Sequence, residues 1–323
     1  MKKCIFILPY FGEFNNYFEL FLKSCSYNHD FDWLIITDNL KEYSFPPNVY
    51  LKYMDFQEFK RLISSKFDFK ISLDKPYKLC DFKPAYGYIF ENFIQDYQYW
   101  GHCDCDLIFG DLKKFLFPLF EIDYDKIFAV GHLTLYKNNS TNNRMFMQRY
   151  KNKTIYRTFF ATSEIGGFDE DFFDENVHSI FLENGASIYQ EDLSINPAVN
   201  KARFELKKYN PKIRKFIDLK FKDTLYVWDN GKIKAISQNP QSNKLICQEY
   251  LYMHFQMRKM KITDSVKNAN LIQIVPNRFK PLERIPDTLT EWRIISKSPV
   301  NMHLFDLYSN KIKRKIQCLI KNY

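Results

Sequence analysis

Hydrophobic and polar positions along the first hundred residues form blocks that predict strands and helices in alternation. Residues 5–8 are a continuous apolar run with the length of a buried strand, residues 33–37 repeat this pattern, and residues 48–54 predict a third strand. Between them, apolar positions three or four residues apart predict one helix that begins after Asn15 or Asn16 and ends near Asn28, and a second over residues 57–67. This order of elements is typical of a parallel α/β sheet.

The pattern further along the chain is less regular. A long helix is predicted from residue 82 or 84 to residue 97. The pair Asn230-Gly231 suits a two-residue turn and predicts a hairpin. The later predicted elements are strands at 99–103 and 126–131, that hairpin at 225–236, a helix at 247–260 and a basic segment at 301–323.

Composition is typical of a compact globular protein. Hydrophobic residues make up 46% and aromatic residues 18% of the 323 residues, with nine glycines, which excludes disordered and fibrous classes. A formal net charge of +9 suits an anionic partner, such as a nucleic acid, a membrane surface or a phosphate-bearing small molecule. No signature of a nucleic-acid-binding module is present and the basic residues are scattered until the C-terminus, so we expect no nucleic-acid partner.

The cysteines and the N-terminus favour a cytoplasmic location. Seven cysteines with no CxxC pair are typical of reduced thiols. Cys103 and Cys105 lack a second cluster, so we interpret them as strand side chains rather than zinc ligands. The N-terminal apolar run is too short for a signal peptide, and no stretch of about 18 apolar residues predicts a membrane-spanning helix.

Two carboxylates follow the predicted strand at 99–103. In extended backbone, residues two apart project to the same side, so Asp104 and Asp106 are placed to bind one hard cation through oxygen ligands. Such sites usually lie at the carboxyl ends of parallel strands. A cation there would neutralise charge that develops on a departing nucleoside diphosphate. An isolated Asp-x-Asp triplet is also common in solvated turns, so the surrounding sequence decides between the two.

Four segments of the chain provide that context: ILPYFG, YKLCDFKPAYGYIFE, WGHCDCDLIFGDL and YLYMHFQMRKM. Over roughly residues 3–260 they resemble a family of bacterial glycosyltransferases linked to capsular or other cell-surface polysaccharide synthesis, similar to the GT-A superfamily. The resemblance implies a GT-A-like, Rossmann-related α/β fold with a mixed, mostly parallel central sheet flanked by helices. It also implies a GT-A-like domain over 1–265, with a nucleotide-binding half at 1–111 and an acceptor half at 112–265, and a C-terminal helical extension at 266–323.

The resemblance also assigns residues to a nucleotide site. In GT-A enzymes the loops after the first two strands hold the nucleoside, which here places five residues near a uridine-type base: Pro9, Tyr10, Phe11, Thr37 and Asp38. Tyr10 is the ring that would stack on the base. Ordinary strand-end turns with a packed aromatic ring are an equally good explanation of each residue.

Lys78, Asp81 and Lys83 lie at the start of the helix that leads into the Asp-x-Asp strand. Positive side chains and a helix N-terminus at this place suit a phosphate or a sugar hydroxyl, and the resemblance favours that role. Pro84 suits the first position of a helix. The alternative is a helix cap by Asp81 beside two solvated lysines.

A late segment supplies further candidates by the same resemblance. It implies that His254 is a third metal ligand and that Arg258 is a partner of the diphosphate, together with Lys83. In an extended segment, His254, Gln256 and Arg258 would project to one side. A lone histidine is more often structural, so both interpretations of His254 stay open.

Glu191 and Asp192 end a short predicted strand, in the part of the chain where inverting GT-A enzymes have the carboxylate that deprotonates the acceptor hydroxyl. Either residue is a candidate base, and a helix cap or a surface pair is the alternative. Residues 163–169, which include Gly166-Gly167, are predicted to form an acceptor-side loop. The sequence leaves retention and inversion of the anomeric centre open.

The predicted function is transfer of a hexosyl residue, with galactose or glucose favoured, from a UDP-sugar to a saccharide acceptor, with Mn²⁺ or Mg²⁺ as cofactor. We expect an acceptor linked to undecaprenyl. The basic and apolar segment 311–322 predicts peripheral contact with the anionic inner face of the plasma membrane, or else a solvated helix. The alternatives for the whole chain are a nucleotidyl or sugar-phosphate transferase, and a non-catalytic carbohydrate- or membrane-binding protein on the same fold.

Overall fold

The computed structural model describes residues 2–256, 258–309 and 312. Its strands are β1 (Lys2–Pro9), β2 (Phe31–Thr37), β3 (Val49–Tyr53), β4 (Tyr97–Cys103), β5 (Leu107–Phe109), β6 (Lys126–Val130), β7 (Leu133–Lys137), β8 (Ile188–Tyr189), β9 (Ser194–Ile195), β10 (Lys207–Asn210), β11 (Lys215–Asp218), β12 (Leu225–Asp229), β13 (Lys232–Gln238), β14 (Leu245–Tyr250), β15 (Tyr252–His254), β16 (Leu271–Val275) and β17 (Arg278–Pro281).

The α-helices of the described residues are α1 (Phe18–Ser26), α2 (Phe56–Ser64), α3 (Leu79–Phe82), α4 (Tyr86–Ile89), α5 (Glu91–Ile94), α6 (Leu112–Ile122), α7 (Ser140–Asn143), α8 (Ile155–Ala161), α9 (Val177–Glu183), α10 (Asp264–Asn268) and α11 (Leu289–Ile295). Short 3-10 helices occupy Pro76–Lys78, Lys83–Ala85 and Met145–Met147. The basic segment predicted at 311–322 lies outside the described residues, apart from residue 312.

A seven-stranded sheet in the order β3-β2-β1-β4-β7-β6-β8 forms the centre of the fold. Strands β3, β2, β1 and β4 run parallel, β7 is antiparallel to β4 and β6, and β8 is parallel to β6. The predicted α/β class with a mixed, mostly parallel central sheet is therefore confirmed. The five strands predicted at 5–8, 33–37, 48–54, 99–103 and 126–131 are present as β1, β2, β3, β4 and β6.

Helices cover both faces of this sheet, which explains why its central strands are apolar throughout. Successive strand residues point to opposite faces, so Phe6 packs with α1 and α6, whereas Ile5 and Ile7 pack with α2, α8 and α9. Phe6 also stacks on Trp33 of the neighbouring strand, with ring centroids 5.5 Å apart. The two buried layers hold the carboxyl ends of β1, β2 and β4 side by side.

The prediction of one long helix from residue 82 or 84 to residue 97 is wrong, because the segment is helical but not continuous. The segment is divided into α3, the 3-10 helix Lys83–Ala85, α4 and α5. Pro84 has no backbone N–H to donate, which accounts for the interruption near it, and Phe90 leaves helical geometry with φ −109° and ψ 26°. Lys83 therefore lies in a 3-10 turn between α3 and α4, and not within one continuous α-helix.

The helix predicted at 247–260 is also wrong, because this segment forms strands. Strand β14 pairs with β13, and β15 pairs with β5 and β9, so tertiary pairing overrides the local pattern. The predicted hairpin at 225–236 is confirmed as β12 and β13, with φ of 46° at Asn230 and 82° at Gly231.

Strands β14, β13, β12, β16 and β17 make a second, antiparallel sheet. Because β12 pairs with β16, residues from both sides of position 265 share this sheet, and the domain boundary expected there stays a prediction. The third sheet, β5-β15-β9, is short. It joins the segment after β4 to the late segment that contains His254.

Candidate metal centre

Asp104 and Asp106 lie directly after β4, at the end of the sheet where β1 and β2 also finish. The intervening backbone turns at Cys105 and Asp106 rather than continuing as a strand. Two backbone hydrogen bonds define the turn: Asp104 N–H donates to the carbonyl of His132 (3.0 Å), and Phe255 N–H donates to the carbonyl of Asp106 (3.0 Å). The two carboxylates therefore converge through a turn, and not through the strand alternation expected from the sequence.

His254 reaches this turn from the other end of the chain. Strand β15 pairs antiparallel with β5 in the register that sets His254 opposite Leu107. As a result, ligand atoms of Asp104, Asp106 and His254 all lie within 4.8 Å of one another. The Nε2 atom of His254 is 3.4 Å from Oδ1 of Asp106.

The donor set of this cluster suits a divalent cation. The Oδ1 atom of Asp106 and the Nδ1 atom of His254 are buried and have no hydrogen-bond partner. Burial alone would lower the pKa of His254, but the negative charges of Asp106 and Asp104 raise it above its usual range. Two carboxylates and an imidazole, with buried atoms that lack partners, are therefore arranged as a metal site would require.

Lys83 is the cation nearest to this cluster in the described contacts. Its Nζ atom lies 2.8 Å from Asp104 Oδ1 and 3.2 Å from Asp169 Oδ2, and it donates to the carbonyl of Gly131 (2.9 Å). Burial opposes the charge, yet the carboxylates of Asp104 and Asp169 raise the pKa of Lys83 well above its usual range. Lys83 therefore links the Asp-x-Asp turn to a second acidic segment.

That second segment contains Asp169 and Glu170. Burial raises the pKa of Asp169 to about 6, and burial together with the charge of Asp169 raises the pKa of Glu170 to about 8. Gly131 makes room for both residues, because a Cβ there would lie 2.6 Å from Asp169 Oδ2 and 2.3 Å from Glu170 Cγ. From the sequence, Asp169 was expected only as the last residue of the acceptor-side loop 163–169, and Glu170 was not expected in the site. The signal present in the sequence is three consecutive acids, at 169–171, shortly after Gly166-Gly167.

Lys78 and Asp81 form a buried ion pair of 2.7 Å, with side chains 3% and 0% exposed. Lys78 also donates to the carbonyl of Phe159 (2.8 Å), and Asp81 accepts from the N–H groups of Gly166 (3.0 Å) and Phe168 (2.9 Å). Their polar atoms are engaged within the protein, so a direct contact with nucleotide would need these bonds to break. In this structure the pair holds the loop that precedes Asp169.

The five residues expected near a nucleoside lie at the adjacent ends of β1 and β2. Asp38 is exposed, and its Oδ1 accepts from the N–H of Gly12 (2.7 Å). Tyr10 stacks on Phe14, and burial with nearby Cys105 and Asp106 raises its pKa. Two others are packed into the protein: Phe11 against α2, and Thr37 with no exposed surface. Tyr10, Asp38 and the neighbouring Pro9 are the accessible members of the set.

Arg258 has protein partners for its guanidinium. Its Nη2 donates to the carbonyls of Ala198 (2.9 Å) and Lys201 (2.6 Å), and the group lies over the ring of Phe204 at 5.2 Å. Burial lowers its pKa to about 10. The extended segment expected at 252–258 ends with β15 at His254, and Gln256 has a left-handed φ of 54°, so the alternation that aligned Arg258 with His254 does not apply.

The two candidate bases differ in their surroundings. Asp192 is buried, and its carboxylate accepts from Ser194 N–H (2.9 Å), Ser194 Oγ (2.6 Å) and Tyr209 N–H (3.0 Å). These bonds give Asp192 a structural role in joining β9 to β10. Glu191 is exposed.

Two further buried groups lie close to the centre and were not identified from the sequence. His132 stacks on His254, and its Nε2 has no hydrogen-bond partner. Lys126 is fully buried on β6 beside His178, and burial lowers its pKa to about 7. Neither residue belongs to a recognisable sequence motif. The contacts that distinguish them are with residues far away in the chain, His254 for His132 and His178 for Lys126.

None of the helices in the described ranges combines the length and apolar character that crossing a bilayer demands. No curated protein sequence matches the chain. One similar solved structure is the galactosyltransferase LgtC in complex with donor and acceptor sugar analogues, at 10% identity and a TM-score of 0.33, with 61% of this chain and 76% of that chain covered. Another is the apo-form glycosyltransferase GlyE of Streptococcus pneumoniae TIGR4, at 13% identity and a TM-score of 0.34, with 61% of this chain and 47% of that chain covered. The model of the Family of unknown function (DUF6625) matches residues 6–283, most of the chain, and the protein therefore belongs to that family.

Proposed function

We propose that the protein is a metal-dependent glycosyltransferase that moves a hexosyl residue, galactose or glucose, from a UDP-sugar to a saccharide acceptor. The observation that supports this most is the cluster of Asp104, Asp106 and His254 at the carboxyl end of the parallel strands, with buried ligand atoms that lack partners. Ligands of α/β sheets bind at this edge. Mn²⁺ suits the mixed oxygen and nitrogen donors better than Mg²⁺, which prefers oxygen alone.

Asp104, Asp106 and His254 would hold the cation, and a bound cation would neutralise charge on the departing diphosphate. Lys83 supplies a positive charge 2.8 Å from Asp104; its amine already contacts Asp104, Asp169 and the Gly131 carbonyl, so a phosphate oxygen would have to replace one of these partners. Tyr10 and Asp38, at the ends of β1 and β2, would contact the nucleoside. Lys78, Asp81 and Arg258 would act by positioning these elements, since protein groups already occupy their polar atoms.

The acceptor side of the proposal has two pairs of acids as candidates for the base. Glu191 and Asp192 are the residues expected from the sequence, and Asp169 and Glu170 are the acids beside the metal cluster. Burial raises the pKa of both carboxyls, and the charge of Lys83, which contacts Asp169, opposes this rise; Asp169 is therefore the better candidate to accept a proton and Glu170 the better candidate to carry one. The kcat values of Asp169→Asn and Glu191→Gln distinguish the two pairs. We expect the variant that lacks the base to lose about 100-fold or more in kcat and the other variant to lose much less.

We further propose that the acceptor is a saccharide on an undecaprenyl carrier and that the enzyme works at the cytoplasmic face of the plasma membrane, in capsule or other surface-polysaccharide synthesis. The resemblance seen in the sequence and the net charge of +9 support this setting. A peripheral contact would bring a soluble active site to a lipid-bound acceptor.

A donor screen tests the proposal. The purified chain is given UDP-galactose or UDP-glucose with Mn²⁺, with Mg²⁺ or with EDTA, and nucleotide binding and release are measured. We expect UDP release with Mn²⁺, and a fall of about 100-fold or more in the Asp104→Asn/Asp106→Asn variant. The matched control is Asp68→Asn/Asp74→Asn, which changes two exposed aspartates and should leave the rate unaltered. Release of UMP would instead indicate sugar-phosphate transfer, and failure to bind either donor with any metal would refute the proposal.

A further inference from the structure

The hairpin of β10 and β11 has two different faces. In its register Tyr209 lies opposite Phe216, and Lys208 lies opposite Ile217. Because side chains alternate between faces, Tyr209 and Phe216 share one face and Lys208 and Ile217 share the other. Tyr209 is buried, whereas Lys208 and Ile217 are exposed, so the second face is turned to solvent.

The solvent-facing side combines positive charge with apolar side chains. We call the exposed lysines and aliphatic residues of this segment the basic hairpin surface: Lys208, Lys212, Ile213, Lys215, Ile217, Leu219, Lys220 and Lys222. Ile213 is 54% exposed. Asp218 is the single acid between residues 207 and 222, and it lies 3.3 Å from Lys207. Among the described residues, the five lysines of this surface have no carboxylate within ion-pair distance.

Two exposed aromatic side chains lie beside the hairpin, on the side of Phe216. Phe172 and Phe173 are 48% and 69% exposed, and Phe172 contacts Phe216 with ring centroids 5.7 Å apart. Single exposed apolar residues are common on proteins, but several on one segment, interleaved with lysines, are not explained by folding. A surface of this composition needs a partner that is both anionic and apolar.

The inner face anchors the hairpin to the loop that contains Asp169 and Glu170. Arg214 Nε lies 3.0 and 2.9 Å from the two oxygens of Asp171, and Tyr209 Oη donates to the same carboxylate. Tyr209 N–H also donates to Asp192 (3.0 Å). The hairpin is thus held in place by a buried carboxylate adjacent to the candidate centre.

We propose that the basic hairpin surface docks on an anionic lipid bilayer. Lysines beside a bilayer are attracted by anionic headgroups, and the isoleucine and leucine side chains of this surface would enter the boundary between headgroups and acyl chains. A nucleic acid would satisfy the lysines but would leave the aliphatic side chains in water. The inference deepens the membrane location proposed above and rests on that part of the proposed function, and it assigns the lipid contact to a segment other than 311–322.

Docking in this way would place the candidate centre near the lipid surface. The loop from Asp169 to Phe173 runs from the Lys83 ion pair to the exposed aromatic side chains within five residues. A substrate carried on lipid would therefore meet the acidic residues without the protein crossing the bilayer.

Vesicle co-sedimentation with the full-length chain tests this docking, without any nucleotide sugar present. The probes are phosphatidylcholine vesicles with and without phosphatidylglycerol, each at low and high salt. We expect binding only with phosphatidylglycerol, weakened by salt. Lys208→Glu/Lys212→Glu/Lys215→Glu should weaken binding at least about tenfold, and Ile213→Ser/Ile217→Ser should weaken it at both salt concentrations.

The matched control is Lys70→Glu/Lys232→Glu/Lys244→Glu, which makes the same change of charge at exposed lysines of other elements. It should retain binding to within about threefold. Equal binding by the hairpin variant and the wild type would overturn the proposal, as would binding to single-stranded RNA with none to the anionic vesicles. Because no sugar donor is used, these outcomes are independent of whether the chain transfers glycosyl groups.

Discussion

The imidazole rings of His132 and His254 stack on each other, with centroids 4.3 Å apart and planes 23° apart. Burial and the positive charges of His254 and Lys83 lower the pKa of His132 well below its usual range, so His132 is neutral. The His132 backbone is fixed by its bond to Asp104 N–H, which means that one residue positions two of the three candidate ligands.

Shortening His132 should therefore weaken metal binding. We expect His132→Ala to lower Mn²⁺ affinity about tenfold, because His254 loses the ring that orients it, whereas His132→Phe keeps a stacked ring and should cost less than about threefold. Mn²⁺ titration followed by electron paramagnetic resonance measures both values. Equal affinities for the alanine and phenylalanine variants would show that stacking has no orienting role.

Lys83 should matter most when no cation is bound. Lys83→Met leaves the buried Asp169 and the half-buried Asp104 without their positive partner; because only Asp169 is fully desolvated, this should lower the free energy of unfolding by about 3 kcal/mol. Added Mn²⁺ should restore part of this loss, giving a larger metal-dependent rise in Tm than in the wild type. The control Lys137→Met breaks a partly exposed pair with Asp123 and should cost about 0–1 kcal/mol without any effect of Mn²⁺. Identical Tm shifts in all three proteins would contradict this role.

Gly131 is expected to be intolerant of a side chain. Alanine there would collide with Glu170 and Asp169, so Gly131→Ala should displace the acidic segment and lower UDP release about tenfold or more. Gly185→Ala is the comparison: its φ of 71° is unfavourable for alanine, by about 1–2 kcal/mol, but no atom lies within 4 Å of the added Cβ. Its activity should match that of the wild type. Retained activity in Gly131→Ala would mean that the acidic segment can shift without consequence.

Lys126 should make stability depend on pH above neutrality. Its pKa is about 7 in the folded protein and about 10.5 when exposed, so the unfolded chain binds one more proton between these values. Stability of the wild type relative to Lys126→Met should therefore be lowest below pH 7 and rise with pH, by about 2 kcal/mol between pH 7 and pH 9. Urea unfolding at pH 7, 8 and 9 measures the difference. Parallel profiles would indicate that the buried amine keeps its charge.

Much of the fold was predictable because, in the first third of the chain, the spacing of apolar residues matches the strands and helices that form there. Strands β1 and β2 are apolar on both faces, and the helices that follow them have regular apolar spacing, so pattern and structure agree. Residues 245–254 are different. Their strands exist because β13 and β5 provide partners, and no local signal in the segment contains that information.

In the candidate centre, too, some residues have a local sequence signal and others are defined only by tertiary contacts. Asp104 and Asp106 were detectable because they adjoin a clear strand, and His254 came from the resemblance of its segment. Glu170, His132 and Lys126 could not be found in this way. Their environments arise from burial and from contacts across the sheet, which depend on the complete fold.

The Asp81 carboxylate accepts hydrogen bonds from backbone groups that lie 85 and 87 residues further along the chain. During synthesis, Asp81 and Lys78 leave the ribosome well before Gly166 and Phe168 are available to them. Closing so long a loop costs entropy that only later contacts repay, so contacts of this kind form late in folding. We therefore expect the acidic loop to order late, and because the candidate ligand His254 lies still further along the chain, a nascent chain would form its apolar framework before it could complete the candidate cation site.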